Sequence, residues 1–152
     1  MPHEPYLILL DALAQHLHGV DSAAFVQVQC LVIDGKRLDF FLERDSYDAA
    51  EDRLIVRCDV MRLPGAASEE VCRRLLQADN LWAGTRGATL GLRGDDVVIL
   101  SESARIASLD GAGLVALVQG LPRQAETWAA ELDRELRERA MIADFALSHA
   151  RA

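Results

Sequence analysis

The chain has 152 residues, enough for one domain with a full apolar core and too few for two. Its 24 acidic against 16 basic residues leave a net charge of −8, which disfavours sequence-independent binding to nucleic acid, whose phosphates attract the opposite sign. Although 51% of the residues are hydrophobic, no run approaches the roughly 18 consecutive apolar residues of a membrane span.

The start, Met1-Pro2-His3-Glu4, lacks the basic segment and cleavage site of a secretory signal, so a cytoplasmic location is expected. Cys30, Cys58 and Cys72 are odd in number and widely spaced. That suits small buried hydrophobes better than a disulfide framework or a CxxC site.

Residues 5–18 read as the first helix, with Pro5 in its first turn and Gly19 as its stop. Tyr6, Leu9, Leu10, Leu13 and Leu17 share one face. Leu7 and Ile8 fall off that stripe, Ile8 almost opposite its centre beside Asp11 and Gln15, so either a second element covers that side or a partner does. Residues 25–33 alternate, with Val26, Val28, Cys30 and Val32 on one face, and predict a half-buried antiparallel strand. Asp34-Gly35 accepts the positive φ of a tight hairpin and leads into residues 37–44, where Leu38, Phe40 and Leu42 alternate. After a polar connection, Leu54, Val56, Cys58 and Val60 alternate in turn and complete a three-stranded meander. The second face of this meander mixes Leu31, Ile33, Phe41, Ile55 and Met61 with Gln29, Asp39, Arg57 and Asp59. Such a mosaic suits a surface covered intermittently, or one covered permanently by a helix or a neighbouring subunit.

Leu63-Pro64-Gly65 ends the strand, and Ser68 with Glu70 opens the next helix as N-cap and first-turn acid. Val71, Leu75, Ala78 and Trp82 recur at helical spacing, after which Asp79, Asn80 and Gly84 stop the helix. Residues 88–92 and 97–100 are short apolar runs around the turn-forming Arg93-Gly94-Asp95-Asp96, a second hairpin. Residues 101–110 are expected to be irregular. A closing helical region keeps one phase through Leu114, Val118, Leu121, Ala125, Trp128, Leu132 and Leu136 across Gly120 and Pro122, which predicts a kinked or closely abutted pair of segments. The order is α-β-β-β-α-β-β-α. It defines an α+β fold with an antiparallel twisted sheet flanked by helices, one domain over residues 1–140 and a tail, frayed or helical, over 141–152.

Nothing in the sequence marks a catalytic centre, and the chain reads as a non-enzyme. His16 and His18 diverge by about 200° on a helix and cannot ligate one metal from the same face. His3 and His149 lie near the ends, and no Ser-His-Asp or Cys-His arrangement follows from spacing. Gly84, Gly87, Gly91 and Gly94 run from helix into strand with no lysine after them, the reverse of a phosphate loop. Asp95 and Asp96 read as a solvated hairpin tip. Neither a cofactor nor a metal is expected.

Residues 75–92, LLQADNLWAGTRGATLGL, resemble the signature of the class I type III secretion chaperones, the Tir-chaperone family. Leu75, Leu76, Ala78, Leu81, Gly84, Thr85, Gly87, Leu90, Gly91 and Leu92 fit that pattern. Asp79 stands where the family commonly has Asn, and both residues tolerate left-handed geometry. Residues 125–132, AETWAAEL, resemble the family's closing helix, so the likeness spans residues 5–136. Residues 103–113, rich in Ala, Ser and Gly, replace the Pro-containing link of many members.

The resemblance implies a cytoplasmic homodimer acting in protein transport and virulence. It would bind the N-terminal segment of a cognate effector in an extended form and keep it soluble and secretion-competent. The resemblance places the dimer interface around the second helix and following strand, at Leu81, Trp82, Leu90 and Leu92. The apolar residues left over after each core stripe is assigned, Leu7, Ile8, Leu31, Ile33, Phe41, Ile55 and Met61, form the expected effector-binding surface. Two other readings are a chaperone-fold adaptor regulating secretion or transcription, and a small ligand-binding domain with its site between sheet and helices.

Overall fold

The computed structural model describes residues 4–80 and 84–149. In order, its elements are helix α1 (Glu4–His16), a short helix α2 (Ser22–Val28), strands β1 (Cys30–Ile33), β2 (Lys36–Glu43) and β3 (Arg53–Arg62), helix α3 (Glu69–Asp79), strands β4 (Thr89–Arg93) and β5 (Val97–Arg105), and helix α4 (Gly111–His149). The strands form one antiparallel sheet in the order β1-β2-β3-β5-β4.

Strand β3 takes the centre because it alternates cleanly over the greatest length. Its Leu54, Val56, Cys58 and Val60 are all buried, and α4 lies over them with Leu114, Val118, Leu121, Ala125, Trp128 and Leu132. Helix α1 adds Tyr6, Leu9, Leu10, Leu13 and Ala14 to the same core. The Asp34-Gly35 hairpin forms as the sequence predicts, with φ of 51° and 74°.

The expected strand over residues 25–33 is instead a helix followed by four residues of strand. Asp21 caps α2 by accepting the Ala24 N–H at 3.0 Å. Ser22, Ala23 and Ala24 fill the first turn, and Phe25 then packs edge-on against Phe40 with centroids 5.1 Å apart. Gln29 ends the helix in a left-handed conformation, φ 52°, its N–H donated to the Phe25 carbonyl at 2.7 Å. Its side-chain oxygen accepts from the buried Tyr6 hydroxyl at 3.0 Å.

This left-handed residue resets the phase of β1. Leu31 now faces Leu38 across the ladder and Cys30 faces Asp39. Directly paired residues share a face of a sheet. Leu31 and Ile33 therefore turn to the helix side and pack partly on the core, while Val32 is 70% exposed. The assignment of Leu31 and Ile33 to the second face is corrected accordingly.

Met61 is displaced for another reason. A β-bulge between Asp59 and Met61 leaves Val60 as the extra residue and brings Met61 opposite Val98, so Met61 packs partly on the core. The Val60 carbonyl accepts from Lys36 Nζ at 3.0 Å, and the same ammonium pairs with Glu126 of α4 at 3.2 Å.

Strand β5 runs on to Arg105, opposite Arg53, and a 3₁₀ turn at Ile106–Ser108 follows, where an irregular stretch was expected. Helix α4 is a single helix of 39 residues rather than two segments. Pro122 removes one intrahelical hydrogen bond, but it is itself buried within the apolar stripe that holds the helix down. The helix includes residues 141–149, so the described part of the tail is helical, with Met141, Ile142, Phe145 and Leu147 exposed.

Helix α3 is fastened at three points. Ser68 caps it, accepting the Val71 N–H at 3.3 Å. Arg74 lies 4.9 Å over the Trp128 ring and pairs with Glu131 at 3.3 Å and Glu135 at 3.1 Å. At its end Asp79 accepts the Leu90 N–H at 2.8 Å, joining the helix to edge strand β4. Replacing Asp79 by Ala should lower unfolding stability by roughly 1.5–3 kcal/mol, the worth of a hydrogen bond to a charged group. Asp79→Asn keeps the acceptor and should lose less than half of that, as urea denaturation will measure.

Candidate functional site

The first helix leaves a gap beside the core. Ile8 sits opposite the buried stripe of α1 and is 60% exposed. Beside it, α1, the end of β2 and the chain from the 3₁₀ turn into α4 enclose a groove of about 900 Å³. Pro5, Ile8, Leu9 and Ala12 form one wall, and Leu42, Ile106 and Leu109 the other. The two helices close tightly at one end, where a Cβ on Gly111 would stand 3.1 Å from His16 Cε1. The charged residues lining the groove are Glu4, Asp52 and Asp110. An apolar cleft of this size lies at the upper end of the range of small-molecule pockets.

The outer face of the sheet is different in kind. Asp39 lies between Arg37 Nε at 2.9 Å and Arg57 at 3.2 Å, and the Arg57 guanidinium covers the Phe41 ring at 4.7 Å. Arg93 pairs with Asp59 at 2.6 Å, and Arg53 donates to the Ser103 hydroxyl at 2.7 Å. Phe41 is 40% exposed, and Ile55 stands opposite it, half-buried. The mosaic read from the sequence thus pairs its own charges.

Of the residues expected to bind an effector, only Ile8 lines the groove. Leu7 is half-buried on the core, Phe41 and Ile55 lie on the outer face, and Leu31, Ile33 and Met61 turn inward. Leu42, Ile106 and Leu109 were not singled out as a site. Leu42 fell into a core stripe, and the spacing of three between Ile106 and Leu109 was the one signal that they share a side of a turn. Among the residues expected at a dimer interface, Leu90 is buried in the core of its own chain and Leu92 packs partly on it. Leu81 and Trp82 lie outside the described residues. Leu76 of α3, part of the family pattern but not among the expected interface residues, is 71% exposed.

Among the described residues no group of three His, Cys, Asp or Glu side chains is placed to hold a metal ion, and no helix is long and apolar enough to cross a membrane.

The family described as the Tir chaperone protein (CesT) family matches residues 9–129, and the chain belongs to it. No curated protein matches the chain. Among solved structures it is similar to one described as "Crystal Structure of the ExsC-ExsE Complex", with a TM-score of 0.67 and 20% identity, over 86% of this chain and 96% of that one. This likeness is one of fold: helices with a five-stranded antiparallel sheet, the α+β class read from the sequence.

Two carboxyls shift in opposite directions. Burial alone would raise Asp39, but hydrogen bonds and charges from Arg37 and Arg57 outweigh it and hold the group below its usual 3.8. Glu102, opposite Val56 on the helix side of β5, is raised above its usual 4.5 by burial. The stability from Asp39 is therefore present above the ordinary carboxylate range and lost as pH falls through its lowered value. Glu102 acts the other way: the fold is favoured while it is protonated, and that stability is lost as pH rises through its raised value. Urea titrations should show Asp39→Asn about 1–3 kcal/mol less stable than wild type at pH 7. Glu102→Gln should be more stable than wild type at pH 7 and indistinguishable from it near pH 3.

Proposed function

We propose that the chain is a cytoplasmic type III secretion chaperone that holds the N-terminal segment of a secreted effector in an extended, soluble, export-competent form. The observation that supports this most is the apolar groove beside α1, with Ile8 at its lip, on a chain of the Tir chaperone family. A disordered client segment supplies the apolar side chains that such a groove leaves unmatched, and the cost of ordering that segment keeps the complex reversible. The similar structure is itself a complex, ExsC with ExsE, which agrees with capture of a partner protein by this fold. No bond is made or broken in this reading; affinity comes from burial.

The chain acts as a homodimer in this proposal. The outward side of α3, with Leu76, and the neighbouring edge strand β4, with half-buried Leu92, are the self-complementary surface. Leu90 is set aside, since it is consumed by its own core.

The test compares two single substitutions on two surfaces. Burying one large apolar side chain stabilises a complex by roughly 1.5–3 kcal/mol. Ile8→Asp should therefore weaken binding to the N-terminal segment of the secreted client by at least about ten-fold. Phe41→Asp, on the outer face, should change it little. Both variants should keep the wild-type unfolding midpoint and, by light scattering, twice the 16.7 kDa chain mass. Loss of binding through Phe41 rather than Ile8 moves the site to the outer face of the sheet, and a monomeric wild type removes the dimer.

A further inference from the structure

The groove beside α1 is apolar in its walls and uniformly acidic at its rim. Glu4 comes from the first turn of α1, Asp52 from the residue before β3 and Asp110 from the residue before α4, so three separate segments bring like charges around one opening. Two of them hold the backbone: Asp52 accepts the Asp45 N–H at 3.0 Å and Asp110 the Gly113 N–H at 2.7 Å. Among the described residues that line the groove there is no lysine or arginine, and Arg105, the residue before Ile106, is held by Glu51 at 3.0 Å. On the outer face, by contrast, Asp39 and Asp59 are each neutralised in place by arginine.

We infer that the groove selects client segments whose apolar side chains are flanked by lysine or arginine. The inference rests on the groove being the client site and adds the chemistry of what enters it. Apolar anchors fill the cleft, and cations beside them on the client meet Glu4, Asp52 and Asp110 at its edge. Exposed ion pairs are weak one at a time. Three around one apolar cleft act together, steer the encounter of a flexible basic segment, and turn away an acidic one.

The experiment uses the full chain and three fluorescein-labelled peptides that share one Leu/Ile pattern and differ only in flanks of Lys, Gln or Glu. Anisotropy titrations at low salt are run on wild type, on the combined Glu4→Gln, Asp52→Asn, Asp110→Asn variant, and on Ile8→Asp. Asparagine keeps the side-chain oxygen that each aspartate offers to the backbone, so the neutralised variant should fold, and its thermal unfolding checks this. The lysine peptide should bind wild type tightest and the glutamate peptide weakest. Neutralisation should cost the lysine peptide about ten-fold and leave the glutamine peptide unchanged. Raising the salt should close the gap between peptides on wild type. Equal binding of all three peptides, each lost in Ile8→Asp, refutes charge selection while the groove stands as a client site. Salt-independent binding of the lysine peptide to wild type refutes it as well. A lysine peptide that binds Ile8→Asp as tightly as wild type overturns both the selection and the groove.

Discussion

The apolar seam between β3 and α4 is the interaction on which the other elements depend. Leu54, Val56 and Cys58 on the strand and Leu114, Val118, Leu121 and Ala125 on the helix are all fully buried. Each large side chain in such a seam stabilises the fold by roughly 1.5–3 kcal/mol, so the stripe can carry Pro122 in the helix interior. The bulge at Val60 turns one carbonyl to Lys36, whose ammonium also reaches Glu126, and this sets the helix along the strand. Helix α1 then has one place left, alongside the start of α4, where Gly111 admits the His16 ring.

That placement produces the groove. The C-terminal half of α1 is held by the close approach to α4 and by the Ser22 hydroxyl bonded to Asp11, while its N-terminal half overlies the 3₁₀ turn after β5. The turn is too short to fill the space under Ile8. The outer face of the sheet has a smaller hollow of about 390 Å³, and it is polar: Arg37, Arg57 and Arg93 are matched to Asp39 and Asp59, and the Phe41 ring is capped by a guanidinium. Val32 and Phe41 remain exposed among these pairs, whereas the groove gathers its apolar side chains into one cleft, and this is why a client segment is assigned to it.

Periodic features were legible in the sequence. The stripe through Leu114, Val118, Leu121 and Ala125, the face of α1, the Asp34-Gly35 turn and the meander of β2 and β3 all follow from side-chain spacing. The family was legible too, in the spacing of glycines and leucines over residues 75–92. What failed was phase. Val26, Val28, Cys30 and Val32 alternate, but Gln29 is left-handed, and nothing in an alternating pattern reveals a reset of that kind. The available signal was Asp21-Ser22-Ala23-Ala24, a cap followed by good helix formers. The bulge that turns Met61 inward leaves no trace in composition. Ile8 could be found because it opposes its own stripe, whereas Leu42, Ile106 and Leu109 meet it only through tertiary packing.

The claim that a client lies against α1 is tested most directly by placing a photo-crosslinking amino acid at one position at a time, Ile8, Val32 or Ile55, in the full chain bound to its client's N-terminal segment. Covalent capture from position 8, with little from 32 or 55, is the expected result. Capture from 32 or 55 with none from position 8 would contradict it and place the client on the outer face of the sheet.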